Sequence, residues 1–207
     1  IAGILNQLEN IDLDSLDYHS AQHIHFVVEA ERRVYADRAE FMGDMDFVPV
    51  PIDRLISDQY ARVRWNSVDF FLASKSKDVS HGDIPFNYKE SKETTHYSVV
   101  DQWGNAVSVT TTINGWFGNG IVVDGAGFLL NNEMDDFSAK PGVPNAYGLI
   151  GNAANAIEPG KRMLSSMSPT IVETPEGELL LVLGSPGGST IITTVAQIIM
   201  NVIDFNM

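Results

Sequence analysis

The chain has 207 residues, 44% of them hydrophobic, which is enough for one substantial hydrophobic core or two small ones. Its formal charge of -14, from 27 acidic against 13 basic residues, argues against nucleic acid and anionic membrane surfaces as partners. The sequence has no cysteine, which excludes a disulfide framework and a thiolate site, and no apolar run reaches the roughly 18 residues of a membrane-spanning helix.

Two segments in the first third of the chain carry apolar residues at helical spacing. The pattern over residues 20–42 predicts a long packed helix that stops at Gly43, and the pattern over residues 52–63 predicts a second, shorter helix. His19 and His23 have the i, i+4 spacing of zinc ligands, but no third ligand follows in a recognisable pattern. Both helices are therefore interpreted as scaffold.

The stretch over residues 74–93 is polar and has no periodicity, so it is predicted to be an exposed linker. It leads directly into Thr94. If the bond before Thr94 were cut, such a linker would allow the two new chain ends to separate.

A β-hairpin is predicted next, because residues 97–100 and 106–113 are rich in β-branched and aromatic residues. Asp101 and Gly104 suit a type I turn followed by a left-handed glycine, which pairs Asp101 with Asn105. Counting outward from this loop places Thr94 opposite Thr112, with β-carbons about 5 Å apart. Two hydroxyl groups would then meet at the open end of the hairpin.

Threonine can act as a nucleophile when cleavage of the preceding bond frees its own α-amino group as a base. The alternative is that Thr94 and Thr95 merely begin a strand. The spacing of the residues leaves both interpretations open.

After the hairpin, five glycines mark a loop over residues 115–127, and a strand is predicted over residues 128–131. An acidic segment then contains Glu133, Asp135 and Asp136 but lacks the residue order of a calcium loop. It is either a solvated acidic turn or a site for a substrate ammonium group. Residues 141–148 are predicted to form a Pro/Gly-rich loop with an exposed aromatic residue, Tyr147.

Two further features could bind anions. Ser165 and Ser166 lie in a turn, where serine pairs usually cap backbone groups. Strands are predicted over residues 171–173 and 179–183, and a Gly-rich turn then leads into a helix, a geometry that aims free backbone N–H groups at an anion. The lysine of a phosphate loop is absent, so an oxyanion hole built from the Gly187 and Gly188 amides fits this turn better.

The sequence T-T-H-Y-S-V-V-D at residues 94–101 resembles the start of the small subunit of γ-glutamyltranspeptidases. The resemblance extends through residues 131–137, 165–170 and 184–189, and more loosely over residues 18–60. It departs from the family at Met163, where proline is usual, and at Thr190, where a basic residue often follows the glycines.

This resemblance implies self-cleavage between Glu93 and Thr94, which exposes Thr94 as an N-terminal nucleophile. Thr112 would orient and polarise the Thr94 hydroxyl, and the oxyanion hole would be that of Gly187 and Gly188. The resemblance further implies that the donor's α-amino group is bound by Asn114, Glu133 and Asp136. Its α-carboxylate would be bound by Ser165 and Ser166 with an arginine upstream of Ile1. Tyr147 would be the latch of a lid over the active site.

The implied fold is α+β, a partial four-layer αββα sandwich of the N-terminal-nucleophile hydrolases. Residues 1–93 would be the C-terminal part of the large-subunit region and residues 94–207 the small-subunit region, with the remainder of the large subunit as a partner. The implied activity is γ-glutamyl transfer or hydrolysis with glutathione as a donor and water, an amino acid or a peptide as the acceptor. No cofactor or metal is implied, and the location would be periplasmic or secreted.

Other functions remain open at this point. A cephalosporin acylase or a poly-γ-glutamate transpeptidase would share the nucleophile and differ in the pocket walls. From another class, the chain could be a binding or structural module that never cuts itself. Mass spectrometry of the denatured protein separates the classes, because only a processed enzyme yields two pieces.

Overall fold

The computed structural model describes residues 1–82, 94–138, 140, 143 and 151–207. The predictions for Glu93, Tyr147 and the second half of the linker lie outside the described residues. The helices are α1 (Ala2–Leu8), α2 (Ala21–Phe41), α3 (Ile52–Leu55), α4 (Asp58–Trp65) and α5 (Thr190–Ile203). The strands are β1 (Thr95–Val100), β2 (Ala106–Thr111), β3 (Thr170–Glu173) and β4 (Leu179–Leu183).

The long helix predicted over residues 20–42 is confirmed as α2. Ser20 caps its start, because the serine side chain accepts a hydrogen bond from the His23 amide at 3.1 Å. The helix ends at Phe41, just before the predicted stop at Gly43, and its last cap is Met42 with an extended backbone. Gly43 allows a close approach, because a Cβ at this position would lie 2.3 Å from the Ala154 carbonyl oxygen.

The single helix predicted over residues 52–63 is wrong. The segment forms two helices, α3 and α4, and Ser57 between them caps α4 by accepting a hydrogen bond from the Tyr60 amide at 3.3 Å. Ile56 and Val63 are exposed, so the helical spacing of these two apolar residues does not mark a buried face.

The hairpin forms as predicted. The Asp101 amide donates to the Asn105 carbonyl at 3.0 Å, Gly104 has a positive φ of 87°, and Ser98 pairs with Ser108. The last registered pair is Thr95 with Thr111, so the same register places Thr94 opposite Thr112. Because side chains alternate along a strand, Thr94 and Thr112 point to the same side of the hairpin as Ser98 and Ser108.

That side of the hairpin faces the second sheet, the antiparallel pair β3–β4. The Ser98 hydroxyl donates to the Val182 carbonyl at 3.0 Å, and the Ser108 hydroxyl donates to the Leu183 carbonyl at 2.9 Å. Small hydroxyl side chains therefore join the two sheets. The strand predicted over residues 128–131 is not formed, and this segment contributes only an isolated bridge between Val122 and Leu129.

Helix α5 covers the other side of β3–β4, where Leu183 packs against Ile191, Val195 and Ile199. An adjacent side of α5 joins a larger core built with α1, α2 and α4. That core contains Ile4, Leu8, Leu13, Phe26, Val27, Ala30, Trp65, Val68, Ile192, Ala196 and Met200. The helices before the linker and the helix at the end of the chain thus share one hydrophobic core.

The fold is α+β, as predicted. The described residues build a helical side and two facing sheets of the sandwich, and within them no helix covers the outer side of β1–β2, where Tyr97, Val99 and Val107 are exposed. None of the described helices is both long enough and apolar enough to cross a membrane.

Candidate active site

A small cavity of about 30 Å³ lies at the open end of the hairpin, where the chain stretches of four separate regions meet. The residues that line it are Thr94, Thr112, Asn114, Asp136, Leu164, Ser165, Ser166, Met167, Gly188, Ser189 and Ile191.

The hairpin supplies the hydroxyl pair, Thr94 and Thr112, to this cavity. The Thr112 Oγ1 atom accepts a hydrogen bond from the Asn114 amide at 2.8 Å. Because a hydroxyl group has one proton and two lone pairs, this contact leaves the proton of Thr112 to donate elsewhere. The bond from Asn114 thus fixes the orientation of the Thr112 hydroxyl oxygen.

Asn114 is buried and has a positive φ of 72°, which asparagine tolerates better than most residues. Its side-chain amide donates to the Asn132 carbonyl at 3.0 Å, and the Asn132 side chain accepts from the Gly115 amide at 2.8 Å. These bonds attach the end of the hairpin to the acidic segment that follows residue 132.

The acidic segment forms a short 3-10 turn, Glu133–Asp136. Burial, together with the neighbouring charge of Glu133, raises the pKa of Asp136 to about 7, and burial raises the pKa of Glu133 as well. The two side chains are hydrogen-bonded to each other, so the titration of one depends on the charge of the other. A cationic group bound here would favour the ionised form of Asp136.

The serine pair lies on the opposite wall. The Arg38 guanidinium, from α2, donates to the Ser166 hydroxyl oxygen at 3.0 Å. Since the oxygen accepts this bond, the Ser166 proton is free to point at another acceptor, such as a carboxylate. The charge of Arg38 also lowers the pKa of Asp136.

Arg38 also lines a larger neighbouring cavity of about 290 Å³, which shares Leu164 and Ser165 with the first. One turn earlier on α2, the Tyr35 hydroxyl donates to the Ser189 carbonyl. Helix α2 therefore holds two of the cavity's walls and is more than scaffold.

The segment before the serines is fixed by an ion pair. The Arg162 side chain donates to both carboxylate oxygens of Asp44, with the Nε bond at 2.9 Å, and the Arg162 amide donates to Asp44 at 2.8 Å. These donors hold the pKa of Asp44 well below its usual range. The path of residues 162–166 is thereby set from the loop that follows α2.

The glycine turn forms the remaining wall. Gly187 and Gly188 have φ values of 127° and 59°, which favour glycine. The Gly187 carbonyl accepts hydrogen bonds from the Thr190 hydroxyl at 2.7 Å and the Thr190 amide at 3.2 Å. In a trans peptide the N–H group points away from the preceding carbonyl, so the Gly188 N–H points away from the start of α5.

A second glycine close approach secures the nucleophile strand. A Cβ on Gly184 would lie 2.3 Å from Nδ1 of His96, so only glycine allows the imidazole ring to pack at this turn. His96 is itself held by hydrogen bonds to Thr110 at 2.9 Å and Ser98 at 3.0 Å.

The cavity brings together most of the residues that the sequence singled out: Thr94, Thr112, Asn114, Asp136, Ser165, Ser166 and Gly188. Glu133 is connected through its bond to Asp136, and Gly187 precedes Gly188 without lining the cavity. Tyr147 and Glu93 lie outside the described residues. Sequence reasoning missed Arg38 and Tyr35, because helical spacing marks a helix face and does not reveal which polar side chain reaches a distant loop.

The histidines suggest no metal centre. The His19 amide donates to Nδ1 of His23 at 3.1 Å, which occupies one of the two possible ligand atoms of His23. Among the residues that the structure describes, no three His, Cys, Asp or Glu side chains are arranged to hold a metal ion.

The comparison with protein families gives one match over the whole chain. A family model described as "Gamma-glutamyltranspeptidase" matches residues 1–207. The chain is 53% identical over 208 residues to the "Glutathione hydrolase proenzyme" of Escherichia coli (strain K12). That match covers 100% of this chain and 35% of the relative, so the chain spans about a third of the relative's length.

Solved structures give the same picture. The crystal structure of an acivicin-inhibited gamma-glutamyltranspeptidase matches with a TM-score of 0.53 and 70% identity, over 55% of this chain and 60% of that one. The cephalosporin acylase from Bacillus halodurans matches 100% of this chain and 34% of that one with a TM-score of 0.76. Its identity is 22%, so that likeness concerns the fold alone.

Proposed function

The chain belongs to the gamma-glutamyltranspeptidase family, and on that premise we propose that it carries the nucleophile and most of the donor site of a self-processing γ-glutamyl transferase and hydrolase. The proposal is carried by one observation: the cavity gathers Thr94, Thr112, Asp136, the serine pair and Gly188 from separate parts of the chain. Each group has a chemical role that acyl transfer from an α-amino acid requires.

Maturation comes first in this proposal. The Thr94 hydroxyl attacks the Glu93 carbonyl, the peptide nitrogen of Thr94 leaves as an amine, and water hydrolyses the resulting ester. Residues 1–93 then end the large subunit, and residues 94–207 belong to the small subunit. The word "proenzyme" in the name of the Escherichia coli relative supports such a step.

Transfer then uses the freed amine. The Thr94 amine takes the hydroxyl proton as Oγ attacks the γ-carbonyl of the donor, and the proton passes to the departing amine. A γ-glutamyl ester on Thr94 remains. Water, or the amine of an amino acid or peptide, attacks this ester in the second half-reaction and releases Thr94.

The cavity walls fit the charges of this reaction. The Gly188 N–H, with that of Gly187, stabilises the oxyanion that forms at the γ-carbonyl. Asp136 with Glu133 and Asn114 binds the donor's ammonium group. Ser165 and Ser166 donate to its carboxylate, together with an arginine from the preceding part of the protein. Tyr147 belongs to a loop that closes over the donor.

Glutathione is the proposed donor, because the Escherichia coli relative is named a glutathione hydrolase. The remainder of the large subunit is the proposed partner, and a periplasmic or secreted location is proposed with it. The proposed reaction uses no cofactor.

The test is donor turnover by the full-length, processed protein. Glutathione and L-γ-glutamyl-p-nitroanilide should both release their amine products, and an added amino acid should appear as a γ-glutamyl product. If the processed protein hydrolyses cephalosporin-type amides and leaves both γ-glutamyl donors intact, the acylase alternative is correct. If it turns over neither class, the protein is not an enzyme of this kind.

A further inference from the structure

The two cavity walls that would bind the charged groups of the donor come from distant parts of the sequence. Asp136 lies in the 3-10 turn Glu133–Asp136, and Ser165 and Ser166 lie in a stretch without regular secondary structure after Arg162. In an α-amino acid, the ammonium and the carboxylate are attached to the same carbon. A site that recognises both groups must therefore hold its two walls at a fixed separation.

One buried side chain is bonded to both walls. The side-chain amide of Asn155 donates through Nδ2 to the Asp136 carbonyl at 2.8 Å and accepts through Oδ1 from the Leu164 amide at 3.0 Å. Leu164 immediately precedes Ser165. Asn155 is only 4% exposed, so water does not compete easily for these bonds.

The backbone of Asn155 strengthens the attachment to the acidic wall. Its carbonyl accepts from the Ser138 amide at 2.9 Å, and Ser138 forms a parallel bridge with Ala156. The orientation of the amide group is unambiguous, because a rotated side chain would place its NH₂ group against the Leu164 N–H and its oxygen against the Asp136 carbonyl.

We propose that Asn155 is a positioning residue that fixes the distance between the ammonium-binding wall at Asp136 and the carboxylate-binding wall at Ser165 and Ser166. Asn155 thereby makes the enzyme selective for donors that carry both charges on one carbon. This inference rests on the proposed function, since it assigns a cause to the selectivity of that same donor site.

The test compares three donors in the full-length, processed enzyme. L-γ-glutamyl-p-nitroanilide carries both charges, glutaryl-p-nitroanilide lacks the ammonium group, and 4-aminobutyryl-p-nitroanilide lacks the carboxylate. A donor with one charged group can bind to one wall alone, so its turnover does not depend on the separation of the two walls. In Asn155→Ala, kcat/KM for the two-charge donor should fall about 10- to 100-fold, because two buried hydrogen-bonding groups are left without a partner. For each one-charge donor, kcat/KM should fall by less than about threefold.

A second variant separates the two bonds. Asn155→Asp keeps an acceptor for the Leu164 amide but loses the donor to the Asp136 carbonyl. In this variant too, kcat/KM should fall more for the two-charge donor than for the one-charge donors. The matched control is Asn6→Ala, which removes an exposed asparagine amide that donates to the Ile56 carbonyl at 2.6 Å. This control should leave kcat/KM for all three donors unchanged.

Equal losses on all three donors, or no loss, in processed Asn155→Ala would overturn the proposal. It would also be overturned if neither variant matured, because Asn155 would then support the scaffold in general. Failure of the proposed function looks different: the wild-type enzyme itself would not turn over the two-charge donor.

Discussion

The two sides of the cavity are held in different ways. The nucleophile side, the open end of β1–β2, is positioned by strand pairing and by the Ser98 and Ser108 bonds to β4. The recognition side is cross-linked by side chains from elsewhere, with Arg38 bonded to Ser166 and Asn155 bonded to the Asp136 carbonyl and the Leu164 amide. Strand pairing and short hydroxyl side chains place the reacting group, whereas longer side chains from distant segments place the groups that recognise the donor.

The difference has an electrostatic counterpart. The nucleophile side presents neutral hydroxyls to the cavity, while the recognition side contains a partly buried acid pair and the Arg38 cation. Substitutions on the first side should therefore change chemistry and maturation. Those on the second side should change donor selectivity and pH dependence.

The largest effect is expected for Thr94→Ala. This variant removes the hydroxyl that attacks the Glu93 carbonyl, so the precursor should remain one uncut chain and show no donor turnover. Intact-mass measurement of the denatured protein distinguishes one uncut chain from two pieces. The control is Thr95→Ala, whose side chain is exposed and should point away from the second sheet, and which should mature normally. Cleavage before residue 94 in Thr94→Ala would show that an external protease cuts this bond.

The next largest effect concerns the glycine turn. Valine resists the φ of 59° at Gly188, so Gly188→Val should displace the backbone N–H that faces away from α5. Loss of one oxyanion donor costs about 100- to 1,000-fold in kcat. Stopped-flow acylation of the processed enzyme should be slow while donor affinity changes little.

A matched control separates backbone strain from the site. Gly177→Val places the same residue at a similar φ of 83° in the turn between β3 and β4, where a Cβ would meet nothing within 4 Å. It should acylate at the normal rate. Normal acylation by Gly188→Val with a shifted donor affinity would mean that the glycine shapes the pocket wall.

A smaller effect, one to two decades in kcat/KM, is expected for Asp136→Asn with a donor that carries the ammonium group, because a charge-assisted hydrogen bond contributes roughly 1.5 to 3 kcal/mol. The pH profile tests the same group. The pKa of Asp136 is about 7, so its ionised form, which attracts the ammonium group, accumulates as pH rises through 7. We expect kcat/KM for L-γ-glutamyl-p-nitroanilide to rise over that range.

The donor without an ammonium group supplies the control for this profile. With glutaryl-p-nitroanilide, the rise in kcat/KM that depends on Asp136 should be absent. Any rise in kcat/KM with pH that both donors show belongs to the Thr94 amine. Identical profiles for the two donors, or an unchanged kcat/KM for glutathione in Asp136→Asn with maturation intact, would exclude Asp136 as the ammonium site.

The smallest effect is expected for Arg38→Gln. The variant weakens a bond that orients the Ser166 hydroxyl, and a typical hydrogen bond contributes about 0.5 to 1.5 kcal/mol, or about two- to tenfold in KM. The loss should be larger with donors that carry a carboxylate than with 4-aminobutyryl-p-nitroanilide, which should respond only through the pKa of Asp136. The control is Arg62→Gln, which removes an exposed charge on α4 and should leave KM unchanged for both donor types. An equal loss for both donor types would assign Arg38 to general stability.

The features that sequence reasoning predicted well are those set by local chemistry. The Asp101–Asn105 turn determines the register of the whole hairpin, and thus the opposition of Thr94 and Thr112, within 19 consecutive residues. The apolar strand Leu179–Leu183 and the apolar face of α5 are likewise visible in the pattern. Resemblance then supplied roles that spacing alone left open.

The features that were missed depend on contacts between distant residues. Arg38 and Ser166 are 128 positions apart, and no periodicity connects them. The break between α3 and α4 also escaped prediction, because Ser57 caps a new helix inside a continuous helical pattern. The strand predicted at residues 128–131 failed because its apolar residues lack a neighbouring strand beyond one bridge.

The central claim is that Thr94 becomes covalently γ-glutamylated. The most direct measurement is intact mass of the processed enzyme after mixing with L-γ-glutamyl-p-nitroanilide and rapid quenching in acid, followed by peptide mapping. The account predicts that the chain beginning at Thr94 gains the mass of one γ-glutamyl group, carried on Thr94, and loses it on longer incubation. A γ-glutamyl group on any other residue, or turnover of the donor without any γ-glutamylated Thr94 under conditions where acylation outpaces hydrolysis, would contradict it.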